Sequence, residues 1–269
     1  QPMILNKRQA GAAIEGMVRQ SGAPEVSALA VDTHGHTDFA MAISKLLGFD
    51  LCPRLRNLSH RKLHVPKGFD VPEVLAGVVV QDVSIDALKS GWDSLVRVAA
   101  SVETGKISAV LALDRYGSAS RGDPIHQAGT ALGRMYRTLF LCDYFTNDRF
   151  RRELLRVLNY GESTHALQRT IHFGGIPPNH GRYRDELVAI SGSLTLLTNL
   201  TMAWVTHRMQ KVIDQRGRVG RMLDESTLRH IGPVHCELIN FRGGYDFPIE
   251  KFAGRIMPQN GSGARSERN

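Results

Sequence analysis

The spacing of apolar and polar positions changes character along the chain, and each change predicts an element. Residues 7–20 read as a short helix stopped by the Ser21-Gly22-Ala23-Pro24 breaker. The apolar run Val26–Val31 (VSALAV) has the length of a buried strand. Asp32 follows it, at the carboxyl end of that strand, where α/β sheets usually open onto a ligand. Thr37 then predicts an N-cap for a helix from Asp38 to Leu47. Phe39, Ile43, Leu46 and Leu47 share its inner face, and Gly48 stops it. FDLCPRL (49–55) predicts a second strand, broken at Pro53.

Beyond residue 55 the pattern turns helical. The clearest helices are predicted over 92–103, 124–145, 147–158, 162–173 and 183–213, while GVVVQDV (77–83) fits a strand or a loop. Within the stretch 156–171, Asn159, Tyr160 and Gly161 interrupt the helical pattern, so Glu162 is expected to start a new amphipathic turn. Trp92, Trp204, Met202 and Met209 fall in amphipathic patterns and are expected in the core. There is no internal repeat, and the polar tail GSGARSERN is expected to be disordered.

Charge adds a partner class to this outline. A formal charge of +8 and a pI near 9.7 favour an anionic partner, nucleic acid before membrane. The longest apolar stretches carry Thr, Asn or His, so no membrane span is expected. Nor does the start, QPMILNKRQ, have the long apolar segment of a signal peptide. Cys52, Cys142 and Cys236 are far apart and odd in number, which gives no disulfide framework and no paired-cysteine metal clamp. A reducing cytoplasmic setting is expected.

Two stretches carry candidate chemistry. In VDTHGHTDF (31–39), the segment HGHTD matches five positions of the HxHxDH pattern of metallo-β-lactamase-type zinc hydrolases, where imidazoles and a carboxylate grip the metal. Phe39 occupies the sixth position, and this chain is mostly helical where that fold is rich in strands. The competing reading puts the chemistry on Asp32, with His34 and His36 as loop residues beside a helix cap. In the second stretch, RVLNYGESTHALQRTI (156–171), Glu162, His165 and Arg169 recur at i, i+3 and i+7 and project from one helix face. A glutamate favoured by a helix dipole, with solvated neighbours, explains the same spacing.

The blocks VDTHGHTDFAMAISKLLGFDLCPRLRNL, WDSLVRVAASVETGKISA, ALGRMYRTLFLCDYF and RRELLRVLNYGESTHALQRTI, in this order, resemble the Tn-three family of replicative transposases over most of residues 1–250. The resemblance implies strand cleavage and 3′-hydroxyl strand transfer by a DDE triad on an RNase H-like (retroviral-integrase-type) fold. A helical insertion separates the second aspartate from the glutamate. Carried over, the second aspartate is Asp32 and the glutamate is Glu162, 130 positions apart. The implied cofactor is a pair of Mg²⁺ ions (Mn²⁺ as substitute), roughly 4 Å apart, because hard cations prefer carboxylate oxygens to imidazoles. The implied partners are transposon terminal inverted repeats and target DNA, with the full-length parent acting as a homodimer in the bacterial cytoplasm, at the nucleoid.

On this reading the chain is α/β and predominantly helical overall. Residues 1–55 form a partial RNase H-like core, 56–158 a mainly helical insertion, 159–250 the C-terminal helical part of the catalytic core, and 251–269 a disordered tail. No aspartate precedes Asp32, and Glu15 and Glu25 are the only acids before it. The chain is therefore expected to hold the second and third carboxylates without the first and, beginning on Gln1, to be a piece of a longer protein. The acid-free run 51–69, with Arg54, Arg56, Arg61, Lys62 and Lys67, is expected to contact DNA phosphates. So are His165, Arg169 and the group Arg208, Lys211, Arg216, Arg218 and Arg221. A non-catalytic DNA-binding remnant is the alternative from another class.

Overall fold

The computed structural model describes residues 9–20, 25–118, 122–172, 183–232 and 239–241. The 21–24 breaker, Cys236 and the polar tail lie outside the described residues. Helix α1 (Gln9–Val18) precedes strand β1 (Ala28–Val31), helix α2 (Asp38–Leu46) and strand β2 (Asp50–Pro53). The two strands pair in parallel, Ala28 opposite Asp50 through Val31 opposite Pro53. Parallel neighbours require a crossover, and α2 is that crossover. Pro53 has no N–H to give, so the next donor continues the ladder: the Arg54 amide bonds the Val31 carbonyl at 2.8 Å. Asp32 and Arg54 therefore leave the same end of the sheet side by side.

Thr37 caps α2 as expected, accepting from the Ala40 amide at 3.1 Å, and Gly48 ends the turn after it at φ +92°. The helix is buried more completely than an amphipathic pattern predicts. Phe39 through Ser44 are all inside, and the Ser44 hydroxyl is satisfied by the Ala40 carbonyl at 2.8 Å. The reason is α5 (Pro124–Thr146), which packs on both α2 and α3 (Ile85–Glu103). Its glycines permit that approach. A Cβ on Gly129 would lie 2.3 Å from the Phe39 ring, one on Gly133 would lie 1.7 Å from the Asp38 carbonyl oxygen, and one on Gly91 of α3 would lie 2.4 Å from the Pro124 carbonyl oxygen. Helix α4 (Ala109–Tyr116) packs on α1, and Glu15 of α1 accepts from the Ala109 amide at its start.

Several elements differ from the sequence expectation. The helix predicted over 92–103 begins at Ile85, because Ser84 caps it. The basic run contains a strand, β3 (Leu63–Pro66), which pairs in parallel with β4 (Val79–Val83), so 77–83 is mainly strand. The two helices predicted over 147–158 and 162–173 are one, α6 (Asp148–Ile171), running unbroken through Asn159, Tyr160 and Gly161. The physical cause of the apparent break is a change of buried face. Leu154 and Leu158 join the main core, whereas Leu167 and Ile171 are buried outside it. Nine residues from Leu158 to Leu167 is about two and a half turns, which places them on opposite sides of the helix.

Helix α7 (Arg184–Arg218) packs on α6, and Thr198 is its one buried residue among those described. By length and composition it is apolar enough to cross a membrane, with 11% of its most apolar window buried. Trp204 is 54% exposed and Trp92 41% exposed, so neither is the core residue that periodicity suggested. Most of the α7 surface has no described element against it, so an apolar stripe there does not translate into burial. Met202 and Met209 are half-buried. The short helix α8 (Glu225–Leu228) follows.

Candidate nucleic-acid processing site

Asp32 leaves β1 into a tight turn closed by the Gly35 amide on the Asp32 carbonyl at 2.8 Å. Gly35 is required there, since a Cβ would meet the Val31 Cβ at 2.8 Å. The turn leaves the side chains of Asp32 and His34 in solvent. His36 turns inward, and its Nδ1 is buried without a hydrogen-bond partner. Burial, reinforced by the Arg61 and Arg137 guanidiniums, holds the imidazole below its ordinary pKa.

Asp38 is committed elsewhere. Its Oδ1 pairs with Arg137 Nη1, and its Oδ2 lies 3.5 Å from Arg134 Nε. Arg134 continues to Asp82 at 2.8 Å, and Asp82 meets His64 Nδ1 at 2.7 Å. The Thr138 hydroxyl both accepts from the His64 amide at 2.7 Å and donates to the His64 carbonyl at 2.9 Å. This chain of contacts fastens the β3–β4 pair to α5 and to the start of α2, the helix that follows the Asp32 turn. Two guanidiniums on Asp38 and a core position for Phe39 leave the zinc reading of HGHTD without its carboxylate ligand. Among the described residues no three His, Cys, Asp or Glu side chains form a metal-holding group, on the histidines or elsewhere.

Helix α6 packs against β1 as well as against α5, which brings the segment that carries Glu162 to the sheet that carries Asp32. A side-chain bond joins the two: Arg54 Nη2 donates to Asn159 Oδ1 at 3.2 Å. Asn159 is one turn before Glu162. Glu162, His165 and Arg169 are all exposed, on a continuous helix rather than at a helix start, so the N-terminal dipole does not account for Glu162. Arg56 is exposed, and its carbonyl accepts from Arg61 Nε at 3.0 Å. Lys62 Nζ bonds the Gly77 carbonyl at 2.6 Å. Both groups steady the basic run without cancelling its charge.

The carboxylates of Asp32 and Glu162 are exposed and have no hydrogen bond or ion pair among the described residues. This sets them apart from Asp38 and Asp82, which guanidiniums occupy, and from Glu15, which caps α4 and pairs with Arg19 at 3.1 Å. Free carboxylate oxygens of this kind fit a hard divalent cation. Sequence reasoning missed Asn159, Arg134 and Arg137. The only available signal was two arginines at i, i+3 on an otherwise small and apolar helix.

This is an α/β, predominantly helical chain that carries exposed carboxylates at a sheet end and on a helix packed against it. The family described as Tn3 transposase DDE domain matches residues 1–245. The chain belongs to that family. It is 50% identical over 258 residues to the transposase for insertion sequence element IS1071 in transposon Tn5271 of Comamonas testosteroni, covering 96% of this chain and 26% of that protein. It is 32% identical over 214 residues to the transposase for transposon Tn21 of Escherichia coli, covering 80% of this chain and 22% of the relative. It is 29% identical over 247 residues to the transposase for transposon Tn1546 of Enterococcus faecium, covering 91% and 25%. The chain thus spans about a quarter of the length of the curated relatives it matches.

Proposed function

We propose that this chain is the region of a Tn3-family DDE transposase that supplies the second and third metal-binding carboxylates, Asp32 and Glu162, for cleavage of transposon ends and joining of their 3′-hydroxyls to target DNA. The observation that carries the reading is the pair of exposed, unpartnered carboxylates just after β1 and on α6, elements that pack together and are joined through Arg54 and Asn159. Bound Mg²⁺, or Mn²⁺ in its place, would supply activation of the attacking oxygen and stabilisation of the leaving one. Asp32 and Glu162 would hold that cation, Gly35 sets the Asp32 turn, and the basic run around Arg56, Arg61 and Lys62, with His165 and Arg169, would face the DNA backbone. The partial RNase H-like core at 1–55, dimeric action on paired ends, and work at the nucleoid belong to the same proposal.

Titration with Mn²⁺, followed by the loss of its free electron-spin-resonance signal, tests the site without requiring turnover. Binding that Asp32→Asn and Glu162→Gln each weaken at least tenfold supports it. Equal binding by both variants and the parent sequence overturns it and favours the non-catalytic DNA-binding remnant.

A further inference from the structure

Helix α7 is apolar on two sides. Its inner side, marked by Ile190, Leu194, Thr198 and Val205, is buried or half-buried, and the helix packs on α6. Leu196 and Leu200 flank Thr198 in the chain but lie about 160° around the helix from it, and they are 61% and 57% exposed. They belong to a stripe, Ala189, Ser193, Leu196, Leu200, Ala203 and His207, that is exposed throughout. Its spacings of four, three, four, three and four are those of a seam between two nearly aligned helices. Leu197 and Trp204, both exposed, widen it on one side. A helix apolar on a second side, away from its own core, calls for a partner there.

Charge and symmetry select that partner. The first turn of α7 carries Asp185 and Glu186, and its last turn carries Arg216 and Arg218, with Lys211 shortly before. A parallel second copy would set acid against acid and base against base, whereas an antiparallel one opposes the acidic end of each to the basic end of the other. The stripe is also self-complementary about the level of Thr198. A twofold axis there puts Leu196 opposite Leu200 of the second copy, Ser193 opposite Ala203, and Ala189 opposite His207, each pair occurring twice. The same axis brings Asp185 to the level of Lys211. A bilayer, which the length of α7 would also suit, would have to accommodate α6 and its arginines along the same stretch. We infer that the outer face of α7 docks a second copy of this chain as an antiparallel α7–α7 pair. The inference deepens the dimeric part of the proposed function by naming its surface, and it needs neither metal nor DNA.

Sedimentation equilibrium of this chain, without divalent cation, tests the pairing. The wild-type chain is expected to reach twice its 29.8 kDa mass. Leu196→Glu and Leu200→Glu should each weaken the association roughly tenfold or more. Val74→Glu, at an apolar residue 88% exposed outside α7, should leave it unchanged. A wild-type chain that stays monomeric at every soluble concentration overturns the inference, and so does an equal effect of Val74→Glu. Cross-linking reads the register and keeps the test open should a glutamate variant fold poorly. In a Cys142→Ser, Cys236→Ser background, mixed Ser193→Cys and Ala203→Cys chains should form a disulfide-linked dimer under copper–phenanthroline oxidation. Neither variant alone should do so, since its own cysteines would lie about 15 Å apart along the axis. No cross-link in the mixture, or equal cross-linking of each variant alone, overturns the antiparallel pair. Flotation of a monomeric wild-type chain with phosphatidylcholine vesicles, abolished by Leu200→Glu, assigns the face to a bilayer instead and also overturns it. Failure of Mn²⁺ binding at Asp32 and Glu162 with the dimer intact would remove the catalytic reading and leave the α7 surface standing; the reverse result would remove only the surface.

Discussion

Arg54 Nη2 and Asn159 Oδ1, 105 positions apart in the chain, meet at 3.2 Å and tie the end of the β1–β2 sheet to α6 one turn before Glu162. The guanidinium assigned from sequence to DNA phosphate thus has a protein partner that aligns the two carboxylate-bearing elements. Asn159→Ala should lower stability modestly, and Arg54→Ala should be non-additive with it by about 0.5–1 kcal/mol, the range for a solvent-accessible hydrogen bond. A double-mutant cycle in urea measures the coupling; strict additivity would show the contact to be idle.

Asp32→Asn and Glu162→Gln should each leave the urea midpoint nearly unchanged, within about 0.5 kcal/mol, because both groups are exposed and unpartnered. A large loss of stability in either would mean that the carboxylate has a structural role.

Two glycines in helices should respond in opposite directions to alanine. Gly133→Ala drives a methyl group into the Asp38 carbonyl and should cost about 1–3 kcal/mol or more. Gly161→Ala meets nothing within 4 Å in mid-α6 and should stabilise by about 0.5–1 kcal/mol. Destabilisation by Gly161→Ala would argue that α6 breaks there after all.

His36 predicts a pH dependence of stability. Its pKa is lowered in the folded chain, chiefly by burial and then by Arg61. The unfolded chain therefore binds the proton more readily, and stability rises with pH between the folded pKa and the ordinary value of 6.5. Denaturation midpoints across that window should slope upward with pH, and His36→Gln should flatten the slope.

Cys52 is buried, and burial first, with Asp50 second, pushes its thiol up to about 11. Cys142 is exposed. In a Cys236→Ser background, a thiol reagent at neutral pH should label Cys142 quickly and Cys52 only on unfolding. Comparable rates would contradict the burial of β2.

Local chemistry made much of the first fifty residues legible. Thr37 and Gly48 bracket α2 because an N-cap hydroxyl and a positive-φ glycine are needs of the backbone itself, independent of what packs outside. The basic run hid β3 because its pairing with β4 is not local. The change of buried face along α6 imitated a helix break, since period reports which side is apolar and not whether the backbone continues.

By itself the sequence determined the family and the helix that separates β1 from β2, because these depend on residue identity and near-neighbour spacing. Only the tertiary structure decided which carboxylates stay free. Arginines on α5 take Asp38 and Asp82, and the start of α4 takes Glu15. The same holds for Arg54, which a residue on α6 holds in place. Partners so far away in the chain are set by how helices cross, and glycines at those crossings, not the charges themselves, permit the approach.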